Sequence, residues 1–250
     1  MKYILSVTLI IGLFAGYLMG TYLNPPVEYY YPSSYTALTA PDIINPEGEI
    51  FVSSLLLPAV DADGNGVTTS LDVQLLEGQG RALANIDKLL FWTDTQNSIR
   101  TARAVSEMVT GKDMTQYDLV YTIRANASVI EGPSAGAALT IATIAALEKQ
   151  PLNTSVMITG TINNDGSIGL VGEVLQKAKA AKDIGAEVFL VPPTQSSEIR
   201  YSSERSCENI GWSQVCTIEQ IPERVQIEQE AGISVVEVAN VQEAMKYFGL

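Results

Sequence analysis

The N-terminal run Tyr3–Leu23 constrains this chain more than any other feature, because its 21 residues include no charged side chain. A helix of about 20 apolar residues is long enough to cross the hydrocarbon core of a bilayer. A cleaved signal peptide is the alternative, although its apolar stretch is usually shorter and no small-x-small cleavage site is evident here. We therefore expect residues 1–24 to form one transmembrane helix or, as the alternative, a signal peptide.

Charge and proline content divide the rest of the chain. Lys2 precedes the apolar run and the next basic residue is Arg81, so the positive-inside rule places the N-terminus in the cytoplasm and the remaining chain outside. Residues 25–47 are rich in proline and tyrosine, which indicates an extended linker. A globular domain is expected over residues 48–250. It would lie at the outer face of the cell membrane, or be secreted if the N-terminal segment is cleaved.

Composition limits the chemistry of that domain. The chain has 250 residues, of which 46% are apolar and 17% charged, enough for one domain with a substantial core. Its net charge of −13 argues against a nucleic-acid partner, since phosphates are bound by Lys and Arg. It has no histidine, which excludes a Ser-His-Asp triad, a Cys-His dyad and nearly every catalytic zinc site. Hydrolytic chemistry here needs another base, and we expect neither a metal nor a cofactor.

Two short segments carry residues that often bind metals. Cys207 and Cys216 are too few for a metal site without histidine; they can form a disulfide if the domain lies outside the cytosol, and two unpaired residues are the alternative. The segment DADGNG at 61–66 resembles the start of a calcium loop, but its twelfth position is Asp72 where a glutamate is expected. Asp, Asn and Gly also form turns, so we interpret the segment as the turn of a β-hairpin.

The remaining pattern predicts strands and helices that are interspersed without strict alternation. This is typical of an α/β or α+β domain with a mixed sheet and flanking helices. The predicted strands are residues 49–59, 67–77, 117–124, 155–160, 188–191 and 234–238. The predicted helices are residues 93–109, 134–149, 173–185 and 241–248.

The segment EGPSAG at 131–136 places a serine at the start of a predicted helix. Gly132 and Pro133 favour a turn, and Ser134 then lies beside main-chain N–H groups that have no acceptor within the helix. Those groups and the helix dipole can stabilise a developing oxyanion, while the small Ala135 and Gly136 leave room for a substrate carbonyl. An ordinary N-cap serine is the alternative.

Lys177 lies in the middle of the apolar face of the predicted helix 173–185. At about 100° per residue its neighbours are a valine, three alanines and Ile184, whereas Lys179 and Lys182 lie on the opposite side. Burial disfavours the charged form of a lysine and lowers its pKa, and a neutral lysine can serve as the base for a serine nucleophile. A lysine whose stem extends to the surface is the alternative.

The chain resembles the proteolytic domain of the Lon protease family in three motifs, which are EGPSAG at 131–136, VMITG at 156–160 and LVGEVLQKAKAAKDIGAEVFLVPP at 170–193. The similarity covers roughly residue 48 to the C-terminus. It implies the Lon-type α/β domain with a Ser-Lys dyad, in which Ser134 is the nucleophile and Lys177, 43 residues later, is the base. It also implies that Thr159 lies near the lysine and orients it by a hydroxyl hydrogen bond.

The sequence departs from the family pattern in two places. The usual Gly-Gly approach to the lysine helix is here Gly172-Glu173, and the G-x-x-x-x-G-K-[S/T] loop of the energy-dependent relatives does not occur. The chain therefore looks like the stand-alone, Lon-like serine proteases of archaea. The expected function is an ATP-independent serine endopeptidase that hydrolyses polypeptides at the outer face of the membrane. The alternative is a non-catalytic or dormant Lon-fold binding domain, activated only by assembly into a homo-oligomer or by a partner.

Overall fold

The computed structural model describes residues 50–85, 93–125 and 132–250. The predicted anchor, the linker and the first two residues of the predicted domain lie outside these ranges. None of the helices within them is both long and apolar enough to cross a membrane. The transmembrane helix expected at residues 1–24 stays a prediction.

The described residues form eleven β-strands and five α-helices. The strands are β1 (Phe51–Val60), β2 (Gly66–Glu77), β3 (Ala82–Asn85), β4 (Tyr117–Ala125), β5 (Val156–Ile158), β6 (Thr161–Ile162), β7 (Ile168–Gly169), β8 (Val188–Val191), β9 (Ser197–Ile210), β10 (Ser213–Gln226) and β11 (Ser234–Glu237). The helices are α1 (Thr93–Thr110), α2 (Gly136–Glu148), α3 (Val174–Asp183), α4 (Ile227–Ala231) and α5 (Val241–Phe248). All predicted elements are present with boundaries within two residues of these, whereas β3, β6, β7, β9, β10 and α4 were not predicted.

The first sheet has the strand order β1-β2-β4-β3 and is mixed, as the sequence predicts. β1 and β2 form an antiparallel hairpin, β4 is antiparallel to β2, and the short β3 is parallel to β4. Alternate side chains of β1 and β2, such as Leu55 and Leu71, point into the core. Asp61 closes the hairpin turn by accepting the N–H groups of Asp63 and Asn65. The predicted hairpin is confirmed.

A second, fully parallel sheet has the strand order β11-β8-β5. Helix α2 packs on β1 and β2 and is buried on every side, as expected for a helix of small and apolar residues. Within this core, Tyr121 Oη and Thr143 Oγ1 are 3.0 Å apart, so that each buried hydroxyl has a partner. The mixed sheet of the prediction is thus one of several sheets in an α/β domain.

A separate antiparallel hairpin is formed by β9 and β10, in continuous register from the pair Ser197 and Gln226 to the pair Ile210 and Ser213. Most of its described side chains are exposed, in contrast to those of the other long strands. Cys207 and Cys216 lie opposite each other in this register, and their sulfur atoms are joined in a disulfide. Of the two states that the sequence left open, the structure has the bonded one.

Candidate active site

Ser134 lies in a 3-10 turn, Pro133–Ala135, and not in the first turn of α2. Gly132 precedes this turn with φ 98°, a conformation that glycine adopts without strain. The helix start predicted at residue 134 is therefore two residues early, because a separate tight turn intervenes. The N–H of Gly136 donates to the carbonyl of Pro133, while the first N–H groups of a helical turn have no acceptor within it.

The segment Thr159–Gly160 fixes the main chain of the serine turn. The N–H of Gly160 donates to the carbonyl oxygen of Ser134 at 3.0 Å, and the N–H of Ala137 donates to the carbonyl oxygen of Gly160 at 3.0 Å. Thr159 is buried, and its hydroxyl donates to the same Ser134 oxygen at 3.5 Å. Thr159 is thus placed beside the serine, and its predicted hydrogen bond to Lys177 stays a prediction.

Gly136 does not leave room for a substrate, contrary to the expectation from its size. A Cβ at this position would lie 2.7 Å from Ile162 Cγ2 and 2.8 Å from the main-chain nitrogen of Ile162. A Cβ on Gly160 would similarly lie 2.4 Å from Ile168 Cγ2. Both glycines therefore serve the close packing of β6 and β7 against the serine turn.

Helix α3 buries Lys177, as the helical wheel predicts. Only 6% of Lys177 is exposed, whereas Lys179 and Lys182 are both exposed on the other side of the helix. Ile184 was expected on the buried face but is 42% exposed, because the helix ends at Asp183. The helical wheel therefore identifies the buried lysine correctly but extends the buried face one residue too far.

Two opposing effects set the protonation of Lys177. Burial lowers its pKa from 10.5 to about 8, because the ammonium group loses hydration, and the nearby carboxylate of Glu173 acts in the opposite direction. Glu173 precedes α3 with φ 58° and ψ 39°, a left-handed conformation that is strained for a residue with a side chain. This conformation explains why glycine suits the position in the Lon pattern. The glutamate found here instead places an exposed carboxylate beside the buried lysine.

Ser134 and Lys177 line one cleft of about 490 Å³. The segment from Leu170 to Glu173 forms another part of its lining, and the β1–β2 turn contributes residues that include Asp61. Hydrogen bonds from Asn65 hold the pKa of Asp61 below its usual value, so this carboxyl is ionised at neutral pH. Sequence reasoning predicted the serine and the lysine and noted Glu173 as a departure from the family pattern. It missed Asp61, since nothing in the DADGNG turn marks it as a neighbour of the serine.

The wall of the cleft is also joined to the base of the β9–β10 hairpin. The N–H of Val171 donates to Gln195 Oε1 at 3.0 Å, and Gln195 Nε2 donates back to the carbonyl oxygen of Val171 at 2.7 Å. Glu230 lies 3.4 Å from Lys179 on α3 and 3.7 Å from Arg200 on β9. The hairpin base is therefore tied both to the cleft wall and to the helix that carries the buried lysine.

These groups can carry out acyl transfer. A serine hydroxyl can attack a carbonyl, a buried lysine of lowered pKa can accept its proton, and unpaired N–H groups at the turn can stabilise an oxyanion. In an α/β domain without histidine, this cleft defines the class as a candidate acyl hydrolase, to which serine peptidases belong.

Comparison with known protein families makes this class specific. The family model of the Lon protease (S16) C-terminal proteolytic domain matches residues 93–228, more than half of the chain. The chain belongs to this family and carries a Lon-type proteolytic domain.

Individual relatives are similar over shorter regions. The chain is 31% identical to an archaeal Lon protease of Thermoplasma acidophilum over 104 residues, which are 42% of this chain and 16% of the relative. It is 28% identical to an archaeal Lon protease of Methanocaldococcus jannaschii over 155 residues, 57% of this chain and 23% of the relative. Lon protease 2 of Bacillus subtilis is 40% identical over 63 residues, 25% of this chain and 11% of the relative. The chain thus spans less than a quarter of the length of each of these relatives.

Proposed function

We propose that the chain is an ATP-independent serine endopeptidase with a Ser134–Lys177 dyad. The observation that carries the proposal is a lysine, 6% exposed, whose pKa burial lowers to about 8 in the cleft that Ser134 lines. A lysine of ordinary pKa would be protonated at neutral pH and could not act as a base. A pKa near 8 leaves an appreciable neutral fraction.

The reaction proceeds in two stages. Neutral Lys177 takes the proton of Ser134 as the serine oxygen attacks a peptide carbonyl, and the resulting ammonium protonates the leaving amine. Water then attacks the acyl-enzyme, with Lys177 again as base. Main-chain N–H groups of the 3-10 turn, including that of Ala135, hold the oxyanion. The hydrogen bonds from Gly160 and Thr159 to the carbonyl of Ser134 support this role by fixing the turn.

The setting of the reaction is also part of the proposal. The sequence has no G-x-x-x-x-G-K-[S/T] loop, which supports cleavage without ATP. The uncharged run Tyr3–Leu23 and the single preceding lysine support a membrane anchor with the domain at the outer face. Polypeptides that reach that face unfolded are the substrates.

The test uses the full chain and its Ser134→Ala variant. We expect Ser134→Ala to abolish cleavage of fluorescein-labelled casein and labelling by a fluorophosphonate probe, since both require the serine oxygen. Ser202→Ala, at an exposed serine of β9, is the matched control and should leave both readouts unchanged. Circular dichroism and thermal unfolding establish that both variants are folded.

Each other outcome has a defined meaning. Casein cleavage that survives in folded Ser134→Ala protein contradicts the assignment of the nucleophile. Labelling of Ser134 without casein cleavage in the unmodified chain identifies the dormant form. Absence of both labelling and cleavage in the unmodified chain supports the alternative of a non-catalytic binding domain.

A further inference from the structure

The β9–β10 hairpin has two chemically different faces. In an antiparallel pair, residues opposite each other and residues two positions along share a face. The continuous register places the disulfide on one face, here called the arginine face, with Ile199, Tyr201, Arg205, Ile218, Pro222 and Arg224. The other face, here called the glutamate face, carries Glu198, Glu204, Glu208, Glu219 and Glu223 together with one arginine, Arg200, which is ion-paired with Glu198 and Glu230. The arginine face has no acidic residue, in a chain whose net charge is −13.

The arginine face is open to solvent and rich in apolar side chains. Ile199, Tyr201 and Ile218 are 57%, 63% and 65% exposed. Within the part of the chain that the structure describes, neither Arg205 nor Arg224 forms an ion pair with a carboxylate; Arg205 Nη2 instead lies 3.2 Å from Cys216 Sγ. The exposed apolar side chains can pack against apolar side chains of a partner. The two guanidinium groups, which have no carboxylate partner among the described residues, can pair with acidic side chains of that partner.

The strand edges of the hairpin are also open. β9 and β10 form a two-stranded sheet, so among the described residues the outer edge of each strand has no neighbouring strand. Such edges offer main-chain N–H and carbonyl groups to an extended chain of any sequence. An extended polypeptide segment can pair with these main-chain groups, whereas a lipid surface cannot.

The position of the hairpin links it to the cleft. Its base follows Gln195, which holds the cleft wall at Val171 through two hydrogen bonds. At roughly 3.3 Å per residue, strands of 14 residues extend about 45 Å from that base. A polypeptide held on the hairpin therefore lies on an element whose base is hydrogen-bonded to the wall of the cleft.

We propose that the arginine face is the docking surface for unfolded polypeptide segments that carry exposed apolar and acidic residues, and that it delivers them to the cleft. The delivery step rests on the proposed peptidase function, whereas the binding step does not. Docking outside the cleft raises the local concentration of substrate and lowers KM without changing the chemical step. A short peptide that occupies only the cleft does not contact the arginine face, so its KM does not depend on that face.

The binding test uses the full chain with Ser134→Ala, so that the probe is not consumed. The variant Tyr201→Thr/Ile218→Thr removes two large apolar side chains from the arginine face. The control Val215→Thr/Ile221→Thr removes two from the glutamate face, and threonine retains the strand propensity in both. Fluorescence anisotropy with fluorescein-labelled dephosphorylated casein should show Kd rising about tenfold or more for the first pair and less than twofold for the control.

The kinetic test restores Ser134. The arginine-face pair should raise KM for casein by a similar factor with kcat unchanged, and leave kcat/KM for a short peptide unchanged.

Equal effects of the two pairs on Kd, or an effect on the short peptide, overturn the proposal. The proposal is also overturned if the arginine-face pair leaves casein binding unchanged but loses binding to anionic phospholipid vesicles, because that result identifies a membrane as the occupant. Unchanged casein binding with a changed sedimentation coefficient overturns it as well, because that result identifies a second copy of the chain as the occupant. Casein binding measured in Ser134→Ala protein is independent of whether Ser134 is the nucleophile, so failures of the two proposals are distinguishable.

Discussion

The cleft and the β9–β10 hairpin distribute polar and apolar side chains in opposite ways. In the cleft, Lys177 is 6% exposed among apolar residues, whereas on the hairpin Tyr201 is 63% exposed on a two-stranded sheet. Burying a charged group and exposing a large apolar one both oppose folding. Both departures occur at the two places where we propose contact with a polypeptide.

The two regions also differ in what supports them. Ser134 lies directly before α2, which is buried on all sides, and its turn is held by the main-chain bonds of Gly160, while Lys177 lies on the buried face of α3. A strained or desolvated group can be held in such packed surroundings. The hairpin has no core of its own, and the disulfide between Cys207 and Cys216 joins its strands near the tip. Changes in the cleft should therefore alter chemistry and global stability, and changes in the hairpin should alter local order and binding.

The largest expected effect comes from Lys177→Met. Loss of the base should lower kcat/KM for a short peptide on the order of 10³-fold. The same change should raise the free energy of unfolding at pH 7 by about 2–3 kcal/mol, because the pKa of about 8 in the folded state lies below the ordinary lysine pKa of 10.5. The lysine destabilises the folded state fully below pH 8, and this penalty is relieved as pH rises from about 8 to 10.5.

Chemical denaturation between pH 6 and 11 measures the effect. The unmodified chain should gain stability from about pH 8 upward relative to Lys177→Met. Lys182→Met, on the exposed side of the same helix, is the control and should change neither activity nor this pH dependence. A less stable Lys177→Met protein would show that the lysine is paired rather than simply desolvated.

An intermediate effect is expected when the hairpin disulfide is removed by Cys207→Ser/Cys216→Ser. The disulfide closes a short loop, and its loss should lower local stability by about 2 kcal/mol, which raises amide exchange in the hairpin roughly thirtyfold. Exchange in α2 and kcat/KM for a short peptide should not change, because neither depends on the hairpin. Hydrogen exchange with mass spectrometry separates the two regions, and faster exchange throughout the domain would contradict the distinction between them.

The sequence predicted the cleft better than the hairpin, and the reason is burial. Helix α3 and the β1–β2 hairpin each have one buried face, so apolar residues recur with the period of the element. Both faces of the β9–β10 hairpin are exposed, and apolar residues such as Tyr201 and Ile221 occur on opposite faces. The alternation that remains lies in the charges, with all the glutamates on one face and two of the three arginines, Arg205 and Arg224, on the other. A search for apolar periodicity does not detect this pattern.

Other features of the site depend on contacts that no local pattern contains. Asp61 reaches the cleft only because the β1–β2 hairpin packs on α3, and Gly136 is small because Ile162 lies against it. The left-handed backbone of Glu173 could be inferred in part, since the Lon pattern has glycine at that position. Its consequence for Lys177 required the structure.

The smallest expected effect tests whether Glu173 adjusts the base. Its carboxylate raises the pKa of Lys177, so Glu173→Gln should lower that pKa and move the rising limb of the kcat/KM profile to lower pH, increasing the rate at pH 7 roughly two- to fivefold. Glu173→Gly should shift the profile in the same way and also stabilise the fold by about 1 kcal/mol, since glycine adopts φ 58° without strain. A profile that moves in Glu173→Gly but not in Glu173→Gln would assign the effect to the backbone and not to the charge. If the pH profile shifts equally in both variants, the exposed carboxylate of Glu173 holds the pKa of Lys177 above the value that burial alone would give. The departure from the Gly-Gly pattern then sets the pH range of activity.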